Sequence, residues 1–205
     1  MDIELSRVVR IMKFKESQLA HKYCKGIGIE IGPASHNPFN IDGCLFVSPK
    51  ERIDFWNNSQ EIMGEKPQNI DEWGDAENLP FDDNSFDYVI SSHVIEHVPN
   101  PIKAFTEWNR VLKKDGIMFM IFPKRNADPV DLYKPISTLQ SFIDQYENPQ
   151  PLNDNECHIW IFTLQLMLDI IDYCNNTFSQ KWDIIEKLET DDKVGNGHCI
   201  VCRKR

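Results

Sequence analysis

The sequence predicts an α/β fold built on a doubly wound, mostly parallel sheet. Short apolar runs alternate with helical patterns, which is typical of successive β-α-β units. The run at residues 86–90 is mainly apolar, as in strands that helices cover on both faces. A chain of 205 residues can bury a substantial core, so we predict one domain over residues 1–205.

The first half of the chain contains a predicted helix and four predicted strands. Apolar side chains at near-helical spacing, with basic residues between them, predict an amphipathic lead-in helix within residues 1–25. Gly32 and Pro33 end the first apolar run and indicate a buried strand followed by a forced turn. The strand candidates are residues 27–31, 45–47, 70–73 and 86–90.

The second half begins with a strong helix signal at Asn100 and Pro101. An Asn side chain caps a helix well, and proline suits the first helical position. The pair Asp115 and Gly116 is expected to end this helix before a fifth strand at residues 117–122.

Residues 124–157 form an unusually long connection, rich in Pro, Asn, Asp and Gln, with a short helical piece at 136–146. Because long connections in compact domains often serve as substrate loops, we predict an acceptor-site insertion that is too polar to be core. Thr163 is predicted to cap another helix, and residues 182–188 and 197–202 to form a carboxyl-terminal strand hairpin.

Composition and charge disfavour several classes of function. The formal net charge of −10 disfavours nucleic-acid partners, whose binding depends on Lys and Arg. Six irregularly spaced cysteines without a signal peptide favour a reduced, cytoplasmic setting. No apolar run approaches the length of a membrane span.

Cys199 and Cys202 are separated by two residues and form a CxxC pattern, which raises the question of a zinc site. Zinc takes four ligands, and no second close-spaced pair completes the set, although His198 and the Cys157-His158 dipeptide are candidates to join it. We favour the interpretation that both cysteines are ordinary strand residues, and we predict no metal site.

Ligands of open parallel sheets bind beyond the carboxyl ends of the strands, so the residues directly after each apolar run matter most. A dinucleotide site needs a glycine-rich phosphate loop after the first strand. Gly26 precedes that strand and Gly28 lies at its start, so neither follows it, and no third glycine follows in step. The sequence therefore disfavours a nicotinamide or nucleotide-sugar site.

Three segments in order resemble the class I S-adenosylmethionine-dependent methyltransferases, of the small type-11-like kind. They read GIGIEIGPASHNPF (26–39), WGDAENLPFDDNSFDYVISSHVIEHVPNP (73–101) and RVLKKDGIMFMIFP (110–123). The resemblance covers residues 26–123 well. It implies a three-layer Rossmann-like sheet of seven strands with an antiparallel carboxyl-terminal strand, and S-adenosylmethionine as cofactor.

The resemblance also implies a set of cofactor-binding residues. Glu30 would face the amino-acid end of the cofactor, and Gly32 would let the chain pass close to it. Ala34 stands where the family has a second glycine. Asp75 and Ala76 would contact the adenine, although Asp75 after Gly74 also suits a simple turn.

Ser48 and Ser91 complete the predicted cofactor set. Ser48 stands where the family has an acid that takes both ribose hydroxyls, and a serine offers weaker, single contacts. Glu51 or Asp54 would substitute if the loop bends back. Ser91 lies directly after the fourth apolar run.

Two histidines are candidates for catalysis. Methyl transfer is an in-line displacement, and a protonated acceptor such as a hydroxyl also needs a base. His93 follows strand four directly and is the first choice, because imidazole titrates near neutral pH. His97 follows Glu96 and is equally consistent with an architectural role, and His158 is expected to close the pocket.

The predicted activity is therefore methyl transfer to a small-molecule or carbohydrate-like acceptor, with polysaccharide biosynthesis as a possible setting suggested by the EIGPASHNPF loop. The alternative is a non-catalytic protein that keeps the methyltransferase fold as a binding or scaffold module. Ser48 and Ala34 favour that alternative, whereas Glu30, Asp75 and the histidines oppose it. The sequence does not predict the oligomeric state.

Overall fold

The computed structural model describes residues 16–51, 53–62, 65–152 and 158–205. Its centre is a seven-stranded sheet in the order β3-β2-β1-β4-β5-β7-β6. The strands are β1 Gly28–Ile31, β2 Cys44–Ser48, β3 Glu72–Trp73, β4 Phe86–Ser92, β5 Leu112–Pro123, β6 Trp182–Leu188 and β7 Gly197–Lys204.

Strand directions match the predicted architecture. β1 pairs in parallel with β2 and β4, β2 with β3, and β4 with β5. β7 is antiparallel to both of its neighbours, β5 and β6. The prediction of a mostly parallel, doubly wound sheet with an antiparallel carboxyl-terminal strand is thus confirmed.

Five α-helices and two short 3₁₀ helices lie in the described part of the chain. The α-helices are α1 Gln18–Tyr23, α2 Ile53–Ile62, α3 Pro101–Val111, α4 Leu139–Glu147 and α5 Leu164–Thr177, and the 3₁₀ helices are Ile95–His97 and Pro129–Tyr133. Most of the predicted lead-in helix lies outside the described residues. In the described part of that segment, residues 16–25, the helix is α1. Sequence reasoning did not identify α2.

Two apolar clusters cover opposite faces of the sheet because strand side chains alternate. One contains Ile29 and Val89 together with Trp108 of α3 and Phe142 of α4. The other contains Tyr88 and its neighbours together with the short helix α1. The sheet is therefore buried on both sides, and its strand ends remain as the place for a ligand.

The two predicted N-terminal helix caps, Asn100 and Thr163, are confirmed. The side chain of Asn100 accepts a hydrogen bond from the backbone N–H of Lys103, and that of Thr163 from Leu166. The predicted helix stop at Asp115 is wrong, because α3 ends at Val111 and the chain runs straight into β5. Asp115 instead has φ +63 within β5, where the pairing with β4 shifts register.

The long connection after β5 is partly core, which corrects the expectation that it is too polar to be buried. Phe142 of α4 is fully buried and packs against Trp160 and Phe162, at ring-centroid distances of 4.5 and 5.3 Å. α4 therefore anchors this connection to the domain, whereas the role of residues 124–157 in acceptor binding stays a prediction.

Candidate active site

A cavity of about 650 Å³ opens at the carboxyl ends of β1, β2 and β4. Of the nine predicted site residues, it is lined by Glu30, Gly32, Ala34, Ser48, Asp75, Ala76, His93 and His97. Ser91 is fully buried in β4 and does not line the cavity, whereas its neighbour Ser92 does. Residues far apart in sequence thus meet at the sheet edge, as expected for parallel strands.

Gly32 follows β1 in a conformation that only glycine adopts easily. Its φ is +64, and a Cβ atom there would lie 2.7 Å from Cγ2 of Val94. A side chain would therefore strain the turn and push against the loop after β4. Glycine keeps the first loop close to the cavity.

Glu30 is the buried carboxylate of this site. Its side chain projects from β1 into the cavity, and only 4% of the residue is exposed. Burial raises the pKa of Glu30 to about 8, and the positive charge of Lys193 opposes this shift only partly. At neutral pH the carboxyl group is therefore ready to ionise when a cation binds beside it.

The loop after β1 is held by a residue that sequence reasoning missed. Gln60 of α2 uses Oε1 to accept hydrogen bonds from the backbone N–H and hydroxyl of Ser35, both at 2.8 Å, and from Gln68 N–H at 3.2 Å. Trp56, from the same helix, lines the cavity. The sequence did not indicate α2, because polar residues interrupt the apolar spacing expected of a helix there.

The end of β2 contributes Ser48, which is buried at the cavity wall. The backbone C=O of Ser48 accepts from Gly74 N–H at 3.1 Å and so joins the second and third loops. Glu51 also lines the cavity, whereas Asp54 is not among its lining residues. Of the two acids considered as substitutes for the ribose-binding carboxylate, Glu51 is the one in place.

The third loop shows both roles considered for Asp75. Its Oδ1 accepts from Glu77 N–H at 2.8 Å, which closes a turn, and the residue also lines the cavity. The carbonyl of Ala76 accepts from the indole N–H of Trp108 at 3.0 Å. This bond fixes the loop against α3, because Trp108 is fully buried.

His93 occupies a strained backbone position immediately after β4. Its φ is +54, a left-handed conformation that costs energy for a residue with a Cβ and that often marks functional sites. Its backbone N–H donates to the carbonyl of Ile121 at 2.9 Å, which holds it in place. This backbone conformation places the His93 side chain at the cavity wall.

The His93 side chain faces a buried carboxylate. Its Nδ1 lies 3.5 Å from Oε1 of Glu96, which is fully buried. Burial lowers the pKa of His93, but the interactions with Glu96 and the charge of Asp191 outweigh it, so the net shift is upward. A carboxylate behind the ring makes the neutral imidazole a stronger base.

Two further histidines surround Glu96. The Nε2 atoms of His97 and His158 each lie 3.9 Å from its Oε1. Nδ1 of His158 lies 2.6 Å from Oδ2 of Asp131, a buried residue of the 3₁₀ helix Pro129–Tyr133. Burial would raise the pKa of Glu96, but the nearby His93, His97 and His158 lower it overall. Sequence reasoning noted His158 but missed Asp131.

The two cysteines of the CxxC pattern lie on opposite faces of β7. Cys199 belongs to the apolar cluster with α1, and Cys202 to the cluster with α3 and α4. Their side chains therefore do not converge on one ion, and the strand interpretation is confirmed. Cys157, which the zinc alternative also used, lies outside the described residues.

Comparisons with known proteins agree with this geometry. Residues 52–120 match a family model described as a methyltransferase domain. Demethylmenaquinone methyltransferases from Staphylococcus aureus and Staphylococcus haemolyticus are 32% and 39% identical over 131 and 82 residues, which cover 60% and 38% of this chain. The chain spans 51% and 34% of the lengths of these relatives.

Solved structures share the whole fold. A Thermotoga maritima protein, described as a SAM-dependent methyltransferase and possible histamine N-methyltransferase, is 19% identical with a TM-score of 0.54, covering 100% of this chain and 98% of its own. A SAM-dependent methyltransferase from Aquifex aeolicus is 12% identical with a TM-score of 0.54, and the match covers 99% of this chain and 96% of its own. At such identities the likeness concerns the fold.

In the described ranges, no helix has the length and apolar character needed to cross a bilayer. The strand order, the loop that follows Glu30 and the matched family model agree with one another. They show that this chain has the fold of the S-adenosylmethionine-dependent methyltransferases and that residues 52–120 match a methyltransferase domain.

Proposed function

We propose that this chain binds S-adenosylmethionine in the cavity and transfers its methyl group to a small-molecule acceptor. The observation that carries the proposal is the convergence of Glu30, the Gly32 turn, the Asp75-Ala76 loop and the His93-Glu96 pair around one cavity. Its volume of about 650 Å³ is in the range of small-molecule sites.

The chemistry of the cofactor suits the side of the cavity formed by β1, β2 and β3. Its ammonium group complements the Glu30 carboxylate, and burial of that carboxylate strengthens the attraction. The Gly32 turn lets the backbone approach the ligand closely. Glu51 and Ser48 would receive the ribose, and Asp75 with Ala76 the adenine.

The side formed by the loop after β4 would receive the acceptor. We assign His93 as the general base that takes the acceptor proton while the new bond to carbon forms. Glu96 would stabilise the imidazolium that results, since its Oε1 lies 3.5 Å from the ring nitrogen Nδ1. Nε2, the other ring nitrogen of His93, would take the acceptor proton.

Two acceptor classes have specific support. The EIGPASHNPF loop suggested a carbohydrate-like acceptor, and the names of the staphylococcal relatives suggest a demethylated menaquinone. Both are tested directly by supplying sugar and quinone acceptors in parallel and measuring formation of S-adenosylhomocysteine. Product formation with one class only would assign the acceptor.

Calorimetry with S-adenosylmethionine and S-adenosylhomocysteine tests the cofactor proposal. We expect one site per chain and weaker binding in Glu30→Gln, whereas Glu61→Gln, an exposed change on α2, should behave as the wild type. No heat and no thermal shift at millimolar ligand would refute the proposal. Binding without turnover on any acceptor would instead favour the non-catalytic alternative, which Ser48 supports.

A further inference from the structure

We propose that Glu96, His97 and His158 form a binding site for a divalent transition-metal ion of the Zn²⁺ or Fe²⁺ kind. One ligand atom from each residue lies within 4.8 Å of the other two. The three come from the 3₁₀ helix Ile95–His97 and from the segment before α5, 61 positions further along the chain. The fold therefore creates the cluster, which is invisible in the sequence.

Distances within the cluster are close to those of a metal centre. Ligand atoms bound at about 2.1 Å from an ion lie roughly 3.4 to 4.2 Å from one another, depending on the angle at the metal. The Nε2 atoms of His97 and His158 already lie 3.9 Å from Oε1 of Glu96. Shifts of about 0.5 Å would bring all three ligands to a common ion.

Glu96 is a buried carboxylate with histidines as its only charged neighbours among the described residues, at 3.5 to 3.9 Å from Oε1. Its side chain is fully buried, and neither oxygen has a hydrogen-bond partner among the described residues. A buried carboxylate must be balanced by cationic groups or by a metal ion, and the neighbouring histidines balance Glu96 only while they are protonated. A bound divalent ion would satisfy the carboxylate directly.

His158 has the outer partner that metal-binding histidines usually have. Its Nδ1 lies 2.6 Å from the carboxylate of Asp131, so an Nδ1 proton donated to Asp131 leaves the Nε2 lone pair directed at Glu96. This carboxylate-histidine arrangement fixes the tautomer and the ring orientation, as in many zinc sites.

Backbone bonds make the site rigid. The carbonyl of Glu96 accepts hydrogen bonds from the N–H groups of Ile159 at 2.8 Å and Trp160 at 3.2 Å. These bonds tie the segment that carries His158 to the helix that carries the other two ligands. The ligands are therefore positioned before an ion arrives.

The set of ligands selects the kind of ion. Two imidazoles and one carboxylate suit Zn²⁺, Fe²⁺, Co²⁺ or Ni²⁺ better than Mg²⁺ or Ca²⁺, which prefer oxygen. Three protein ligands leave at least one open position, and His97 lines the cavity. An acceptor oxygen at that position would lose its proton more readily, a role that rests on the proposed function, whereas ion binding itself does not.

Cobalt is the best probe, because Co²⁺ reports its ligands in the visible spectrum. The full-length chain without an affinity tag is treated with a chelator, dialysed and titrated with Co²⁺ and, separately, Zn²⁺. We expect one ion per chain, ligand-field bands typical of nitrogen and oxygen ligands without thiolate charge transfer, and a higher unfolding temperature at one equivalent of Zn²⁺.

Variants test the named ligands. Glu96→Gln and His158→Gln should weaken binding at least 100-fold, and Asp131→Asn by 10- to 100-fold, the usual effect of removing an outer partner. His198→Gln is the matched control, because this mostly buried histidine lies on β7 outside the cluster, and it should bind as the wild type. Circular dichroism checks that each variant folds.

Three results would overturn the proposal. They are the absence of stoichiometric Co²⁺ or Zn²⁺ binding by the wild type, thiolate bands that point to cysteine ligands, and wild-type affinity in both Glu96→Gln and His158→Gln. The first would mean that protonated histidines alone neutralise Glu96. Titration of the same preparation with S-adenosylhomocysteine separates the two proposals, since either ligand can bind when the other does not.

Discussion

The two sides of the cavity are built in different ways. The half that we propose for the cofactor, called the cofactor half, consists of the loops after β1, β2 and β3, with Glu30, the Gly32 turn, Ser48 and the Asp75-Ala76 pair. The half that we propose for the acceptor, called the acceptor half, consists of His93, Glu96 and His97 after β4, with His158 and Asp131 behind them. The first half is mainly backbone turns around one carboxylate, and the second is a network of charged side chains.

This difference shows where each half obtains its electrostatic balance. In the cofactor half, Glu30 is buried with its pKa raised to about 8, so it gains a full partner only when a cationic ligand arrives. In the acceptor half, Glu96 is more deeply buried, yet its pKa is lowered because histidines surround it. The protein therefore leaves the charge of Glu30 without a full partner, whereas its own histidines balance the charge of Glu96.

The largest expected effect tests the uncompensated carboxylate. Glu30 has a folded-state pKa of about 8 against 4.5 for the free group, so ionisation destabilises the fold as pH rises between these values. Glu30→Gln should raise the free energy of unfolding by up to about 3 kcal/mol at pH 7 and by little at pH 5. Urea unfolding at both pH values, with Glu61→Gln as control, measures this. An equal gain at both pH values would contradict it.

The second prediction concerns the compensated half. His93→Ala should lower kcat by roughly 100-fold or more and leave S-adenosylhomocysteine affinity nearly unchanged, the usual size of a general-base contribution. Because Glu96 and Asp191 raise the pKa of His93, wild-type turnover should fall as pH drops through that raised value.

His97→Ala is the comparison for the His93 variant, and in metal-free protein it should mainly reduce stability. An exchange of the two phenotypes would move the base to His97. If neither variant loses turnover and the pH profile is flat, the acceptor needs no base, and the two halves do not divide the work as described.

The smallest effect sharpens the cofactor half. Ser48→Asp should tighten S-adenosylmethionine binding by about 1 kcal/mol, the scale of a charge-assisted hydrogen bond less its desolvation. Ser48→Asn introduces a side chain with the shape of aspartate but without its charge. This variant should bind S-adenosylmethionine as the wild type does. Calorimetry measures all three proteins. Unchanged or weaker binding in the aspartate variant would indicate that Glu51 already holds the ribose.

Much of the fold was readable from local signals. The strand at Trp182–Leu188 was predicted at its observed bounds, and the caps at Asn100 and Thr163 were confirmed, because each depends on neighbouring residues. The error at Asp115 has an equally local cause. A residue with positive φ followed by glycine marks a helix end and a strand irregularity alike, and only pairing with β4 decides between them.

By itself, the sequence determined the order of the strands and of the helices other than α2, the turn at Gly32 and the position of Glu30, because apolar periodicity and backbone conformation are properties of short segments. Tertiary structure decided the rest. Gln60 reaches Ser35 across 25 positions and Asp131 reaches His158 across 27, and His158 meets Glu96 only because backbone bonds dock its segment there. No local pattern encodes such pairs, since they form where the sheet brings separate loops to one edge.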